Sequence, residues 1–171
     1  MSVTQKEKPE SSKIGGKYLT FALGREEYGL EILKVREIIG YMDITAVPNT
    51  PPHVKGVINL RGQVISVVDL RRRFGMQETP RTEQTCIIVV EIQSEGRRVN
   101  MGIVVDHVSE VVNIPGQQVE PAPNFGAGID TSFILGLGKV ATSVKILLDI
   151  DRVLPANLIS ESPAGSEKKA A

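Results

Sequence analysis

Several places in this 171-residue sequence carry residue types that do chemistry elsewhere, and spacing decides what each can do here. Asp106 and His107 have the chemistry of a base and its orienter. As neighbours in a strand they point to opposite faces and cannot readily bond each other. Gly136-Leu137-Gly138-Lys139-Val140 resembles part of a phosphate loop, but Val140 stands where Ser or Thr is needed and Phe133 where the upstream glycine belongs. A turn between strands is the better reading. Asp69 and Asp149 each sit where a strand hands over to a helical turn, so both are expected to be helix caps. Cys86 opens an apolar strand and is expected to be a buried, inert thiol. As the single cysteine it makes neither an internal disulfide nor a thiolate metal cluster. No grouping of His, Cys, Asp or Glu has metal-ligand spacing, so neither a metal nor another cofactor is expected. Arg71-Arg72-Arg73, with Lys55, Arg61 and Arg81 near in sequence, is the strongest basic cluster. It reads as a solvated helical turn or as a patch for an anionic partner.

Composition narrows the classes. Twenty Lys and Arg balance twenty Asp and Glu, whereas a binder of phosphate backbones needs a basic excess. Four Phe, three Tyr and no Trp leave few platforms for stacking bases. The longest apolar runs are about five residues, as in Cys86 to Val90, against the ~20 that a spanning helix needs. Lys6, Glu7, Lys8, Pro9 and Glu10 make the N-terminus unlike a secretory signal, and the lone cysteine fits a reducing cytoplasm.

The elements that must hold these residues are mostly strands. Residues 1 to 16 and 159 to 171 are polar and small, and are expected to be flexible tails around a body of residues 17–158. Leu19, Phe21 and Leu23 alternate with Tyr18, Thr20 and Ala22, a half-buried strand that forms a hairpin with Tyr28 to Ile32. Ile32, Val35, Ile38 and Ile39 follow a longer period, read as a short amphipathic helix or as a strand that bulges. Further strands are expected at Val57 to Leu60, Gln63 to Leu70, Cys86 to Ile92, Val99 to Asp106, Val108 to Ile114, Phe133 to Leu137 and Ser143 to Ile150. A short or kinked last helix spans Asp151 to Leu158, around Pro155.

The sequence also repeats itself. At a constant offset of 73, Gly29 meets Gly102, Val35 meets Val108 and Glu37 meets Glu110. At an offset of 80, Val67-Val68-Asp69-Leu70 meets Leu147-Leu148-Asp149-Ile150. The slip is expected to be a loop insertion within Asn124 to Asp130. A period of this length suits a small barrel, so the fold class is mainly β: two related barrels of about five strands each, with short helices.

Glu27-Tyr28-Gly29-Leu30-Glu31-Ile32, Val35-Arg36-Glu37-Ile38, Lys55-Gly56-Val57-Ile58-Asn59-Leu60-Arg61-Gly62 and Val67-Val68-Asp69-Leu70 together resemble the CheW family, the coupling proteins of bacterial chemotaxis. Gly102-Ile103-Val104-Val105-Asp106 and Leu148-Asp149-Ile150-Asp151 extend the resemblance over about residues 17 to 155. The same domain occurs in the kinase CheA and the adaptor CheV, whose further domains have no room in the short polar ends here. The resemblance implies two five-stranded β-barrels, the first roughly residues 17–82 and the second 83–158, with a hydrophobic groove between them and a strand exchanged. It implies a non-enzymatic adaptor in the cytoplasm, recruited to the inner face of the membrane without inserting. Its partners would be the CheW-like regulatory domain of the histidine kinase CheA and the cytoplasmic tip of methyl-accepting chemoreceptors. Carried residue by residue, Val35, Glu37 and Val111 match positions tied to partner binding, and Ile39 matches a groove position. Gly56 and Arg61 match positions whose loss uncouples the complex. Val35 and Ile39, four apart, would share a helix face for a receptor helix, although plain core is the commoner role of such a strip. Two rivals stand beside this reading. One is a small β-barrel nucleic-acid-binding protein; the other is an enzyme built around Asp106, His107 and a nearby serine.

Overall fold

The computed structural model of the protein describes residues 15–94, 96–123 and 131–154. Most of both expected tails, the insertion expected within Asn124 to Asp130 and the last helix beyond Leu154 lie outside the described residues. The chain forms two compact units. One joins the residues up to Leu33 to Val108–Val153; the other is built on Lys34–His107.

In the first unit, β1 (Gly16–Leu23) and β2 (Glu26–Glu31) form the expected hairpin, with Phe21 stacked on Tyr28 at 5.8 Å between ring centroids. β1 is not half-buried: every residue from Tyr18 to Leu23 is buried, polar Thr20 included. The Thr20 hydroxyl is satisfied by donating to the Glu110 carbonyl at 2.8 Å and accepting from the Glu110 amide at 3.2 Å. The strands β8 (His107–Ile114), β9 (Val119–Glu120), β10 (Ile134–Val140) and β11 (Ser143–Leu148) complete a six-stranded sheet, in the order β8-β1-β2-β11-β10-β9. Tyr18, Ile114 and Leu147 cluster in its core, with Val112, Val119, Leu135 and Val140 packed against them.

The second unit is a five-stranded sheet of β3 (Val35–Gly40), β4 (Val54–Leu60), β5 (Gln63–Asp69), β6 (Cys86–Ser94) and β7 (Arg97–Val105), in the order β3-β6-β7-β5-β4. Ile58, Ile65, Val67, Ile87, Val89 and Val104 form its core. The helical turn α1 (Leu70–Arg73) follows β5, and α2 (Ile150–Val153) follows β11. Each sheet draws on both halves of the sequence. β2 pairs in parallel with β11, and β5 with β7, so a division at residues 82 and 83 does not separate the sheets. Parallel neighbours require a long crossover, which the intervening chain supplies.

The repeat is visible in the ladders. Val67 opposite Gly102 and Val68 opposite Ile103 correspond to Leu147 opposite Gly29 and Leu148 opposite Leu30, at the offsets of 80 and 73. One expectation needs correction and one open alternative is decided. The sheets are mainly β as expected but are not closed barrels. Among the described residues, beyond β4 the chain offers only the bridge Thr45–Val57, and beyond β10 only the two residues of β9. Pro48, Pro51 and Pro52 on one side and Pro115 and Pro121 on the other supply no ladder N–H, which keeps these segments short. Of the two readings of the segment after Ile32, the bulging strand is the one observed, not the helix. Ile32–Lys34 is a single 3-10 turn, and β3 then pairs with β6, Ile38 opposite Ile88 and Ile39 opposite Ile87. A bulge between Val35 and Glu37 shifts the register, yet burial keeps a period of two along β3; the helix-like spacing arises because Ile38, though apolar, is on the outer face and 45% exposed. β-branched Val35, Ile38 and Ile39 favour the strand once the apolar β6 is there to receive them. No helix among the described residues is long and apolar enough to cross a membrane.

Candidate functional site

Five of the six candidate residues lie in the second unit: Val35, Glu37 and Ile39 on β3, Gly56 on β4 and Arg61 at the β4–β5 turn, with Glu37 and Arg61 brought into contact. On β3, burial alternates: Val35, Glu37 and Ile39 are half-buried, while Arg36, Ile38 and Gly40 face out. The three candidates therefore share one face as a strand, not as a helix. Ile39 packs on the core cluster, so part of the expected strip is structural.

β4 and β5 bring the other two. Arg61 (φ 51°) and Gly62 (φ 88°) are consecutive left-handed residues, which make a two-residue hairpin turn whose twist matches the strands. The Asn59 side chain holds this turn by accepting from the Gly62 amide at 2.8 Å. At its tip, the Arg61 Nη2 donates to both carboxylate oxygens of Glu37, at 2.6 Å to Oε2. The side chains are 70% and 30% exposed, so water screens the pair and its net worth to stability is about 0.2–1 kcal/mol. Beside it lies a shallow depression of about 370 Å³, lined by Gln63, Ile65, Val89 and Asn100 as well as the pair. The bulge aims Glu37 and the hairpin aims Arg61. At the repeat position of Arg61 the first unit has Ala141, also with positive φ (55°), so that hairpin keeps the turn without the guanidinium.

Gly56 sits on β4 at a register shift between Val54 and Gly56, with φ 143°. The carbonyl of Thr45 passes so close that a Cβ on residue 56 would lie 2.0 Å from it. Thr45 and Val57 exchange both backbone hydrogen bonds there, at 2.8 and 2.9 Å. Gly56 is thus a position of close backbone approach. Val111, the sixth candidate, lies on β8 of the first unit and is 50% exposed.

Much of the basic cluster is paired with carboxylates. Arg71 donates from Nε and Nη2 to the two oxygens of Asp106, at 2.8 and 2.7 Å. Arg72 and Lys55 share Glu78, and Arg36 and Arg98 share Glu91. Arg81 lies over the Tyr41 ring, 4.5 Å from its centroid. Asp106 is therefore held by an arginine, through a 35-residue separation that no local sequence signal announces. Among the described residues no three His, Cys, Asp or Glu side chains are grouped to hold a metal. Cys86 is half-buried, not fully buried as expected, because it sits at the start of β6.

Asp69 caps α1 as expected, accepting from the Arg71 amide at 3.1 Å. Asp149 does so differently: its carbonyl accepts from the amides of Arg152 and Val153, and its carboxylate pairs with Arg152 at 3.5 Å. Asp69 is 5% exposed, and burial raises its pKa above the usual 3.8 against the pull of the Arg71 amide and Lys55. A carboxyl raised on folding costs stability at neutral pH. That cost fades as pH falls through the folded pKa and is gone below the unfolded one. Asp69→Asn keeps the capping oxygen and removes the charge. It is expected to be more stable than the parent to urea at pH 7, with the advantage shrinking as pH falls towards 4. Lower stability at pH 7 would show that the cap works through its charge.

This frame is shared with known proteins. The family model of the CheW-like domain matches residues 17–157. Chemotaxis protein CheW of Klebsiella aerogenes is 44% identical over 141 residues, which cover 82% of each chain. Chemotaxis protein CheW of Rhizobium meliloti is 34% identical, over 83% of this chain and 89% of its own. The crystal structure of the scaffolding protein TtCheW from Thermoanaerobacter tengcongensis matches with a TM-score of 0.73 at 36% identity, covering 85% of this chain and 96% of that one. With the duplicated β frame, the Glu37–Arg61 pair and Gly56 all inside the matched span, the chain belongs to the CheW family of chemotaxis proteins.

Proposed function

We propose that this protein is a chemotaxis adaptor that binds two partners at once: the CheW-like regulatory domain of the kinase CheA and the cytoplasmic tip of a methyl-accepting chemoreceptor. It works in the cytoplasm, held at the inner face of the membrane by the receptor. The observation that carries this reading is the exposed Glu37–Arg61 pair. Two rigid devices, a bulge and a tight hairpin turn, present it at the surface. Nη2 serves Glu37, and a guanidinium has five N–H donors, so further donors remain for an oxygen of a partner. Val35 on the same strand face and Val111 on β8 supply apolar contact area.

The action is stoichiometric. The adaptor adds surfaces that hold receptor and kinase in one geometry, so that a change in the receptor alters the kinase. The alternative of a nucleic-acid-binding barrel has no observation in its favour, since Arg36, Arg71, Arg72 and Arg98 are all committed to carboxylates.

Isothermal titration calorimetry with the CheW-like domain of the cognate kinase tests the reading. Saturable one-to-one binding is the expected result, weakened by Arg61→Ala. Flat titrations at the highest workable concentration would refute it.

A further inference from the structure

The second unit has a larger cavity, of about 570 Å³, with walls more polar than the sheet requires. Lys55 of β4, Asp69 at the end of β5, Arg71 of α1 and Asp106 after β7 stand in it, and the segment bearing Glu78 and Arg81 lines one side. The duplication provides an internal control. At the positions of Lys55, Arg71 and Asp106 the other copy has Leu135, Asp151 and Leu33. The strand frame therefore forms without these charges. The Lys55 side chain is only 26% exposed, and drawing an ammonium out of water is costly unless something uses it.

The cations are not held equally well. Arg71 is matched by a bidentate carboxylate that is itself partly buried. Lys55 instead meets Glu78 at 3.3 Å, and that same exposed carboxylate reaches Arg72 at 3.0 Å. Glu78 is thus a solvent-facing side chain, outside the sheet, that supplies the counter-charge for two cations. With Glu78 swung aside, the lining cations Lys55, Arg71 and Arg81 balance Asp43, Asp69 and Asp106, and Arg72, which Glu78 also reaches from outside the lining, adds a further cation at the rim. A volume of a few hundred Å³ is the size of a small-molecule site, and convergent charged groups are what orients a charged ligand in one.

We propose that this cavity binds a small free carboxylate, and that Glu78 is the stand-in it displaces. The carboxylate of the ligand takes the place of Glu78 on Lys55 and Arg72, and a second carboxylate of a short dicarboxylate reaches Arg81. This site is independent of the adaptor reading, because none of its residues belongs to the Glu37–Arg61 pair.

The test uses the full chain, succinate as the probe, and amide chemical shifts with calorimetry as readouts. Saturable shifts at Lys55, Glu78, Thr79 and Arg81 are expected. Glu78→Gln, which removes the competing charge, should tighten binding by about tenfold. Lys55→Leu places at residue 55 the residue that the other copy already carries, so folding should survive while succinate binding is lost. An unchanged midpoint of thermal unfolding verifies that this variant is folded, and Arg81→Gln gives a second loss of binding should it not be. The proposal is overturned by no saturation at about 50 mM succinate, by Glu78→Gln leaving the affinity unchanged, or by sulfate binding as well as succinate. It is equally overturned if an acidic peptide binds there and succinate does not.

Discussion

Gly56→Ala is expected to lower the midpoint of thermal unfolding by about 10 °C and to lose kinase binding in the same variant. The added Cβ would lie 2.0 Å from the Thr45 carbonyl oxygen and 2.7 Å from its carbon, backbone atoms that cannot swing aside as a side-chain tip can. The φ of 143° is strained for any residue with a Cβ. Overpacking costs about 1–3 kcal/mol and a forced backbone conformation about as much again. At ~2–4 °C per kcal/mol for a chain of this size, a drop near 10 °C follows. The repeat supplies the control. Gly136 holds the same place in β10, but an added Cβ there meets the Val119 Cγ1 at 2.6 Å and backbone only at 3.0 Å, without a positive φ. Gly136→Ala should therefore cost about 1–2 kcal/mol, because a valine tip can give way. Should Gly56→Ala keep its midpoint and still fail to bind the kinase, residue 56 would be a contact and not a strut.

That distinction was invisible in the sequence, and the reason is physical. Period-two alternation, glycine turns and the repeat are local signals, and they locate nine of the eleven strands among the described residues. They could not show that Thr45 passes over Gly56, because a contact between a loop and a bulge leaves no pattern in composition. The same holds for Glu37 and Arg61, 24 residues apart, and for Arg71 and Asp106, 35 apart. The spacing of Ile32, Val35, Ile38 and Ile39 suits a helix as well as a bulging strand, because exposed Ile38 is apolar; pairing with β6, which lies about fifty residues on, decides for the strand. Barrel closure was over-read because strand number was known, whereas the proline-rich segments beyond β4 and β10 set how much of an edge could be paired. β1 reads as half-buried by its alternation, yet Thr20 is enclosed because the Glu110 backbone satisfies its hydroxyl, a partner 90 residues away.

Arg61→Ala should behave oppositely to Gly56→Ala: folded, with an unfolding midpoint within ~2 °C of the parent, and at least about tenfold weaker in kinase binding and in activation of a reconstituted receptor–kinase mixture. The small stability effect follows from exposure, since the guanidinium is 70% exposed and the turn is held by the Asn59 side chain and by Gly62, not by the arginine. The large binding effect follows if the guanidinium is what the partner meets. Two mechanisms would give the same loss, direct contact or the orientation of Glu37, and a charge exchange separates them. If the pair matters only as a brace, Glu37→Arg combined with Arg61→Glu restores the attraction and should recover binding that each single reversal abolishes. If the guanidinium itself touches the partner, the double reversal stays inactive, because the cation has moved from the hairpin tip to the strand. Either pattern keeps the pair in the interface. Full activation by a folded Arg61→Ala would remove it, and the interface would then have to be sought on the exposed face around Val111 of β8.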